Sequence, residues 1–348
     1  METRKIQQVG GGTYTVSLPK EWATAADIEP GAVVALHSHI DGTLVVQTGV
    51  EAADSEPLTL SVADADPDSL ERALRAAYTA GIDSIELEAP DGVSEVTRRH
   101  IERVTRELTG VTVTESGGDT IQVRSLLDVE EVSITQSVRQ LQFAALSAHQ
   151  AATTHLTAPT PEAPGSRDSQ TDRIAAMVDH YFQRGLDSLS VMDALGLTRP
   201  ALFDRWVTAR ELARVADRAD RIGAVAGRLD APVDRDIATD IDDLADRSRD
   251  LVRSAVAVVL DGHARATADG TELATARRCL EARDELCADI DAFDRRLFET
   301  DGADYRLTHA VAALRRTAEA AGTVAEVGLQ SLLCERRSSD AMALGRPS

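Results

Sequence analysis

TYTVSLPKEW, residues 13–22, decides how the N-terminal part of the chain is read. Val16 and Leu18 alternate with Thr15 and Ser17, which is the period of a half-buried strand, and Pro19 suits a first helical turn. The spacing predicts a strand feeding a short helix that presents Lys20 and Trp22. Around it, residues 1–50 continue in short alternating runs with turn signals: GGG at 10–12, Pro30-Gly31, and Asp41-Gly42 between VVALHSHI and TLVVQTG. Asp-Gly flanked by alternating apolar residues is a hairpin signal. A segment this short, with few large side chains, has a thin core. A second copy is therefore the expected partner, with Val16 and Leu18 in the dimer core.

The whole chain has 348 residues, 43% of them hydrophobic but only 3% aromatic, so its core must be built from Ala, Val, Leu and Ile. Alanine favours helices and lets them approach closely, which makes a helical bulk the expectation. The net charge of −21, from 58 acidic and 37 basic residues, excludes a globally basic nucleic-acid footprint. Lys5 and Lys20 are the only lysines. A periodic, acidic, lysine-poor chain resembles the folded proteins of extreme halophiles, whose surfaces work in molar salt that screens fields within about 3 Å. Cys279, Cys287 and Cys334 have no metal-type spacing and read as buried helix residues in a reducing compartment. Without a long apolar run or an apolar leader, the expectation is a cytoplasmic protein with no membrane insertion.

Residues 57–124 change rhythm. PLTLSVA and IDSIELEA read as strands, DPDSLERALRAAYTAG as a helix opened by Pro67 and closed by Gly81, SEVTRRHIERVTREL as a second helix, and VTVTES and TIQVRS as closing strands. This predicts a small α/β layer with no phosphate loop and no catalytic constellation. From Ser125 the period is helical: Leu127, Ile134 and Leu141 fall seven apart, joined by Val138 and Ala145 as a bundle seam. A Pro/Ser-rich loop at 157–171 ends that helix. A second helix is expected over 172–195 and a third over 201–229, followed by DAPVDRD and three more helices broken at DGHARATADG and ETDGAD. Two successive sets of three helices indicate an internal repeat. The expected fold is mixed: a β-hairpin domain over 1–50, an α/β domain over 57–124, helical repeats over 125–229 and 236–334, and a flexible tail over 335–348.

METRKIQQVGGGTYTVSLPKEW, followed by IEPG and DGTLVV, resembles the SpoVT/AbrB-type swapped-hairpin DNA-binding domain, an intertwined dimer. ELARVADRADRIGAVA resembles the third-helix motif of PhoU, the phosphate uptake regulator made of two three-helix repeats, and VAALRRTAEAAGTVAE holds the equivalent place in the second repeat. The full order resembles an archaeal PhoU-like regulator. It implies a homodimer regulating phosphate uptake, with a phosphate ABC transporter ATPase and a sensor kinase as partners. In PhoU the outward stripe of that helix carries two carboxylates and an amide that hold clustered metal ions. Here the stripes read Ala213, Asp217, Arg221 and Arg315, Glu319, Thr323. On the second helices Asp179 and Asp284 remain, with Cys287 in another carboxylate's place. Each stripe keeps one carboxylate and has an arginine within a turn, so ion-paired faces without a cofactor are expected, a divalent or iron cluster on Asp179, Asp217, Asp284 and Glu319 being the alternative.

For DNA, Arg4, Lys5 and Lys20 form the expected contact patch, doubled in a dimer. Gln7, Gln8, Thr13 and Thr15 either reach phosphate or base edges or simply alternate outward. His37 and His39 share a strand face at a spacing metals use, but no third ligand lies nearby and they read as exposed strand residues. His180 and His309 read as packing or surface groups on helices. No hydrolase, nucleotide-binding or dinucleotide fingerprint is present, so no enzymatic activity is expected. Three functions stay open: a phosphate-homeostasis regulator, a transcription factor of another pathway whose bundles bind a different protein or effector, and a structural dimer with no operator.

Overall fold

The computed structural model describes residues 3–48, 56–62, 66–89, 92–115, 120–158, 169–265 and 271–344. The chain divides into two compact units, residues 1–55 and 56–348.

The first unit contains β1 (Gln7–Val9), β2 (Thr13–Thr15), α1 (Lys20–Ala25), β3 (Val34–Ser38) and β4 (Leu44–Thr48). β1 and β2 pair antiparallel with Gln7 opposite Thr15 and Val9 opposite Thr13. The expected strand through Leu18 stops at Thr15, because the ladder ends where β1 ends and residues 16–18 have no pairing strand among the described residues. Pro19 is the N-cap of α1, with φ −60° and ψ 129°, one residue before the expected position. β3 and β4 form the predicted hairpin. Its turn is closed by the Gly42 amide donating to the His39 carbonyl at 3.0 Å and by the Thr43 amide donating to Asp41 Oδ1 at 2.9 Å.

The second unit opens with β5 (Leu58–Ser61), α2 (Pro67–Thr79), β6 (Ser84–Glu88), α3 (Glu95–Arg106), β7 (Val111–Glu115) and β8 (Thr120–Ser125). The strand order is β5-β6-β8-β7, with β5 and β6 parallel and the other pairs antiparallel. Ile85, Leu87, Ile121 and Val123 alternate onto one face, where Leu70, Leu74, Ala77, Ile101 and Val104 of the two helices bury them. The helices start where side chains cap them: Asp66 accepts from the Ser69 amide at 3.0 Å, and Ser94 from the Thr97 amide at 3.1 Å.

The remaining helices are α4 (Ile134–Thr157), α5 (Ser169–Asp187), α6 (Leu189–Ala194), α7 (Arg199–Ala226), α8 (Arg235–Arg265), α9 (Thr271–Glu299) and α10 (Leu307–Leu344). The helix expected over 172–195 is split, because Ser188 leaves the helical path and caps α6 through the Val191 amide at 3.2 Å. α10 runs on to Leu344, through most of the stretch read as a tail. α4, α7, α8 and α10 pack on one another, α5 lies against α4 and α7, and α9 against α8 and α10. α7 and α10 run antiparallel: Asp204 near the start of α7 accepts from Ser331 late in α10 at 2.6 Å, while Arg306 before α10 reaches the Arg228 carbonyl beyond the end of α7. One hydrophobic cluster spans both sets of helices. Its residues Ala145, Ala209, Ala255, Ala318 and Ala325 are the small side chains that the composition called for. At Gly328 a Cβ would stand 2.6 Å from Val258 Cγ1, so only glycine permits that approach of α10 to α8.

The α/β layer is locked to α5 by a polar joint. The Tyr78 ring stacks on His180 with centroids 4.5 Å apart, and His180 Nδ1 lies 2.7 Å from the Tyr78 carbonyl. His180 Nε2 lies 3.2 Å from Asp83 Oδ1, whose other oxygen pairs with Arg184 at 3.0 Å. Gly81, at φ +83°, permits the approach, since a Cβ there would meet Arg184 Cγ at 3.0 Å. Among the described residues no helix is long and apolar enough to cross a membrane.

Candidate functional site

The first unit presents its apolar side chains rather than enclosing them. Ile6, Val9, Tyr14, Val16, Leu18, Trp22, Val33, Leu36, Ile40 and Leu44 are all exposed. His39 is its only buried residue among those described. Val16 and Leu18 remain 51% and 40% exposed in one chain, so neither contributes to a core formed by a single copy. Ten large apolar groups left in water on so small a unit form a surface that is stabilised by cover.

Arg4 and Lys5 precede β1 and Lys20 opens α1, so all three lie outside the paired residues of the hairpin. Arg4, Lys5 and Lys20 are all exposed. Gln7, Thr13 and Thr15 share one face of the hairpin and Gln8 and Tyr14 the other, with Thr15 Oγ1 donating to the Gln7 carbonyl at 3.4 Å. The histidine pair is placed differently from the expectation. His37 lies in β3, but His39 falls beyond its end, is buried, and has Nε2 4.0 Å from Asp41 Oδ2. The His39 amide donates to the Thr43 carbonyl at 2.9 Å, so the pairing runs one residue past β3, and what fails is the reading of His39 as exposed.

In the bundle, Leu212, Val215, Ala219 and Ile222 are buried and Asp217 and Arg221 exposed, as the stripe pattern requires. The four carboxylates sit on four different helices. Asp179 accepts from the Trp206 indole N–H at 2.7 Å and faces Arg210 at 3.5 Å. Asp284 lies 2.6 Å from Arg283 Nε. Glu319 accepts from Arg315 Nε at 3.1 Å, and Arg315 also pairs with Asp291. Hydrogen bonds to Asp291 and then to Glu319 raise the Arg315 pKa above its already high value. Asp217 is one of the charges acting on Arg218. Among the described residues no three His, Cys, Asp or Glu side chains come together as a metal site would need. A cluster of hard cations wants several unengaged oxygens converging, and this donor set does not fit one.

Of the cysteines, Cys279 is buried, Cys287 half-buried and Cys334 exposed, so the reading of all three as buried fails at Cys334, on the solvent side of α10. His309 is exposed, whereas His180 is the centre of the interlayer joint. Its partners Tyr78 and Asp83 lie about a hundred residues away in sequence, a pairing that no local pattern reveals.

Residues 7–53 match the family model described as antidote-toxin recognition MazE, bacterial antitoxin. The match covers the region in which the SpoVT/AbrB-type resemblance was read, and so supports an N-terminal domain of that type. No curated protein matches the chain, and no solved structure does.

Proposed function

We propose that the chain is a cytoplasmic, homodimeric DNA-binding regulator. Its first unit grips DNA through Arg4, Lys5 and Lys20, and its helical region receives the signal. The match of residues 7–53 to the MazE-type model carries this reading, and the exposed apolar set of the same unit supports the dimer. Two copies bring six cations to one face, and cations on phosphates supply the sequence-independent part of DNA affinity. The finer assignment, phosphate uptake control with a transporter ATPase and a sensor kinase as partners, rests on the resemblance of the two three-helix sets to PhoU. In it the stripes of α7 and α10, the latter ion-paired through Arg315 and Glu319, act as docking faces and hold no metal. The antitoxin family matched by residues 7–53 favours a second reading, an antitoxin whose helical region holds a protein partner.

The test is genome-wide occupancy of the tagged protein and of an Arg4→Ala, Lys5→Ala, Lys20→Ala variant. The expected result is discrete occupied promoters that are lost in the variant while the helical circular dichroism is unchanged. In vitro, the slope of affinity against salt falls by about one for each phosphate contact removed. Unchanged occupancy would make the three cations surface decoration.

A further inference from the structure

α7 carries Arg214, Arg218 and Arg221 at one- and two-turn spacings, which puts three guanidiniums on one face. α10, antiparallel and packed alongside, brings Arg316 opposite Arg218, since the Asp204–Ser331 and Arg228–Arg306 contacts fix the register at the two ends of the pair, and the charges of Arg221 and Arg316, then Asp217 and Arg214, act on Arg218. This runs against the composition, since the chain has a net charge of −21. Elsewhere on the helices, arginines sit on carboxylates, as Arg139 does on Asp261, Arg247 on Asp289 and Arg296 on Asp240. Among the described residues Arg218, Arg221 and Arg316 form no such salt bridge.

Arg218 is the centre of the cluster. Its Nε is enclosed by the protein and donates to no protein acceptor. Burial first, and then Arg221 and Arg316, pull its pKa below the usual value. Two carboxylates temper the cluster. Glu211 is bonded to Arg214 and also feels Arg218, and Asp217 is exposed on the same helix. Guanidinium forks match the oxygens of a phosphoryl group two at a time, and charge-assisted hydrogen bonds of that kind are about twice as strong as neutral ones.

We propose that the α7–α10 seam at Arg218, Arg221 and Arg316 binds a small dianionic oxyanion of the phosphoryl class. The ligand turns a self-repulsive cluster into a bridged one and clasps the first set of three helices to the second. It is compact rather than polymeric, because the acidic surface of the bundle repels a long polyanion. The site stands on these guanidiniums alone and does not depend on how the first unit meets DNA.

The experiment is calorimetric titration of inorganic phosphate into the full-length protein at fixed ionic strength, with a nucleoside monophosphate titrated separately and thermal unfolding followed in parallel. Saturable binding near one per chain is expected for at least one probe. The tighter probe identifies the source as the free anion or as a phosphate ester. Arg218→Gln and Arg316→Gln each weaken binding by about tenfold or more, the worth of one charged hydrogen bond. Without ligand the same substitutions leave the unfolding midpoint unchanged or raise it, because they relieve repulsion. A merely structural arginine would lower the midpoint and leave binding alone. The proposal is overturned if neither probe binds saturably, if phosphate stabilises both variants as much as the parent, or if duplex DNA alone occupies the cluster.

Discussion

His149 sets a pH limit on the helical unit whose size follows from its surroundings. It lies on α4, fully enclosed, with Nδ1 3.2 Å from Arg249 Nη1 on α8. A guanidinium only donates, so Nδ1 is the acceptor and the ring is neutral with its proton on Nε2. Arg249 also donates to Thr153 Oγ1 at 3.1 Å and pairs with Asp246. Burial and then the Arg249 charge lower the His149 pKa to about 3. In the unfolded chain the same ring takes a proton near pH 6.5. Between these values the unfolded state binds the proton and the native state does not, so stability is present above about pH 6.5 and is lost as pH falls toward 3. From pH 7 to pH 5 the loss from this one group is about 2 kcal/mol. Glu211 works in the opposite direction, because burial raises its pKa and its native form takes a proton earlier. The measurement is therefore a difference: urea unfolding of the parent and of His149→Gln, whose amide oxygen still accepts from Arg249, at pH 7 and pH 5. The parent loses about 2 kcal/mol more than the variant over that interval. Equal losses would refute the buried neutral imidazole.

Two further outcomes follow from the site geometry. Leu18→Asp places a charge where a Leu would be covered by a second copy; covering it is worth about 1.5–3 kcal/mol, so the variant sediments as a monomer at working salt or loses the fold of the first unit. A variant that remains fully dimeric would remove Leu18 from the interface. The stripes of α7 and α10 are expected to carry no stoichiometric iron, zinc or manganese by elemental analysis of protein purified without chelator. Asp217→Ala with Glu319→Ala then changes stability by no more than about 0.3–0.5 kcal/mol for each pair lost. Metal present in the parent and gone from the double variant would restore the cluster.

The elements were legible wherever local chemistry decides them. Asp41-Gly42 marked the β3–β4 turn, Pro67 and Gly81 bracketed α2, and the buried spacing of Ile134, Val138, Leu141 and Ala145 gave α4 its inner face. The errors came where a partner decides. The strand through Leu18 depends on a neighbour to pair with, so the alternation of Val16 and Leu18 did not produce a ladder in one chain. The split at Ser188 came from a capping hydroxyl that competes with helix continuation. His39 is buried at the closing end of the β3–β4 hairpin, where the alternation alone read it as exposed. At the candidate sites, Arg315–Glu319 was readable from its four-residue spacing. The joint of Asp83 and Tyr78 with His180, and the approach of Arg316 to Arg218, needed the tertiary path of the chain.

Burial separates what each unit needs from its surroundings. In the second unit the α/β layer and the helices each enclose a hydrophobic cluster, and the two are joined at His180, whose Nδ1 bonds the Tyr78 carbonyl and whose Nε2 lies beside Asp83. Polar joints of this kind specify one geometry more sharply than an apolar contact, because a shifted arrangement strands buried donors. That unit encloses a core of its own, although Phe143, Phe298 and Tyr305 remain exposed. The first unit is the reverse, with its large apolar groups outward and almost nothing within. In the proposed homodimer, association through residues 3–48 covers these groups and doubles Arg4, Lys5 and Lys20 in the same event. On that reading, folding of the first unit, dimer formation and assembly of its cationic face form one coupled equilibrium, steepened by protein concentration.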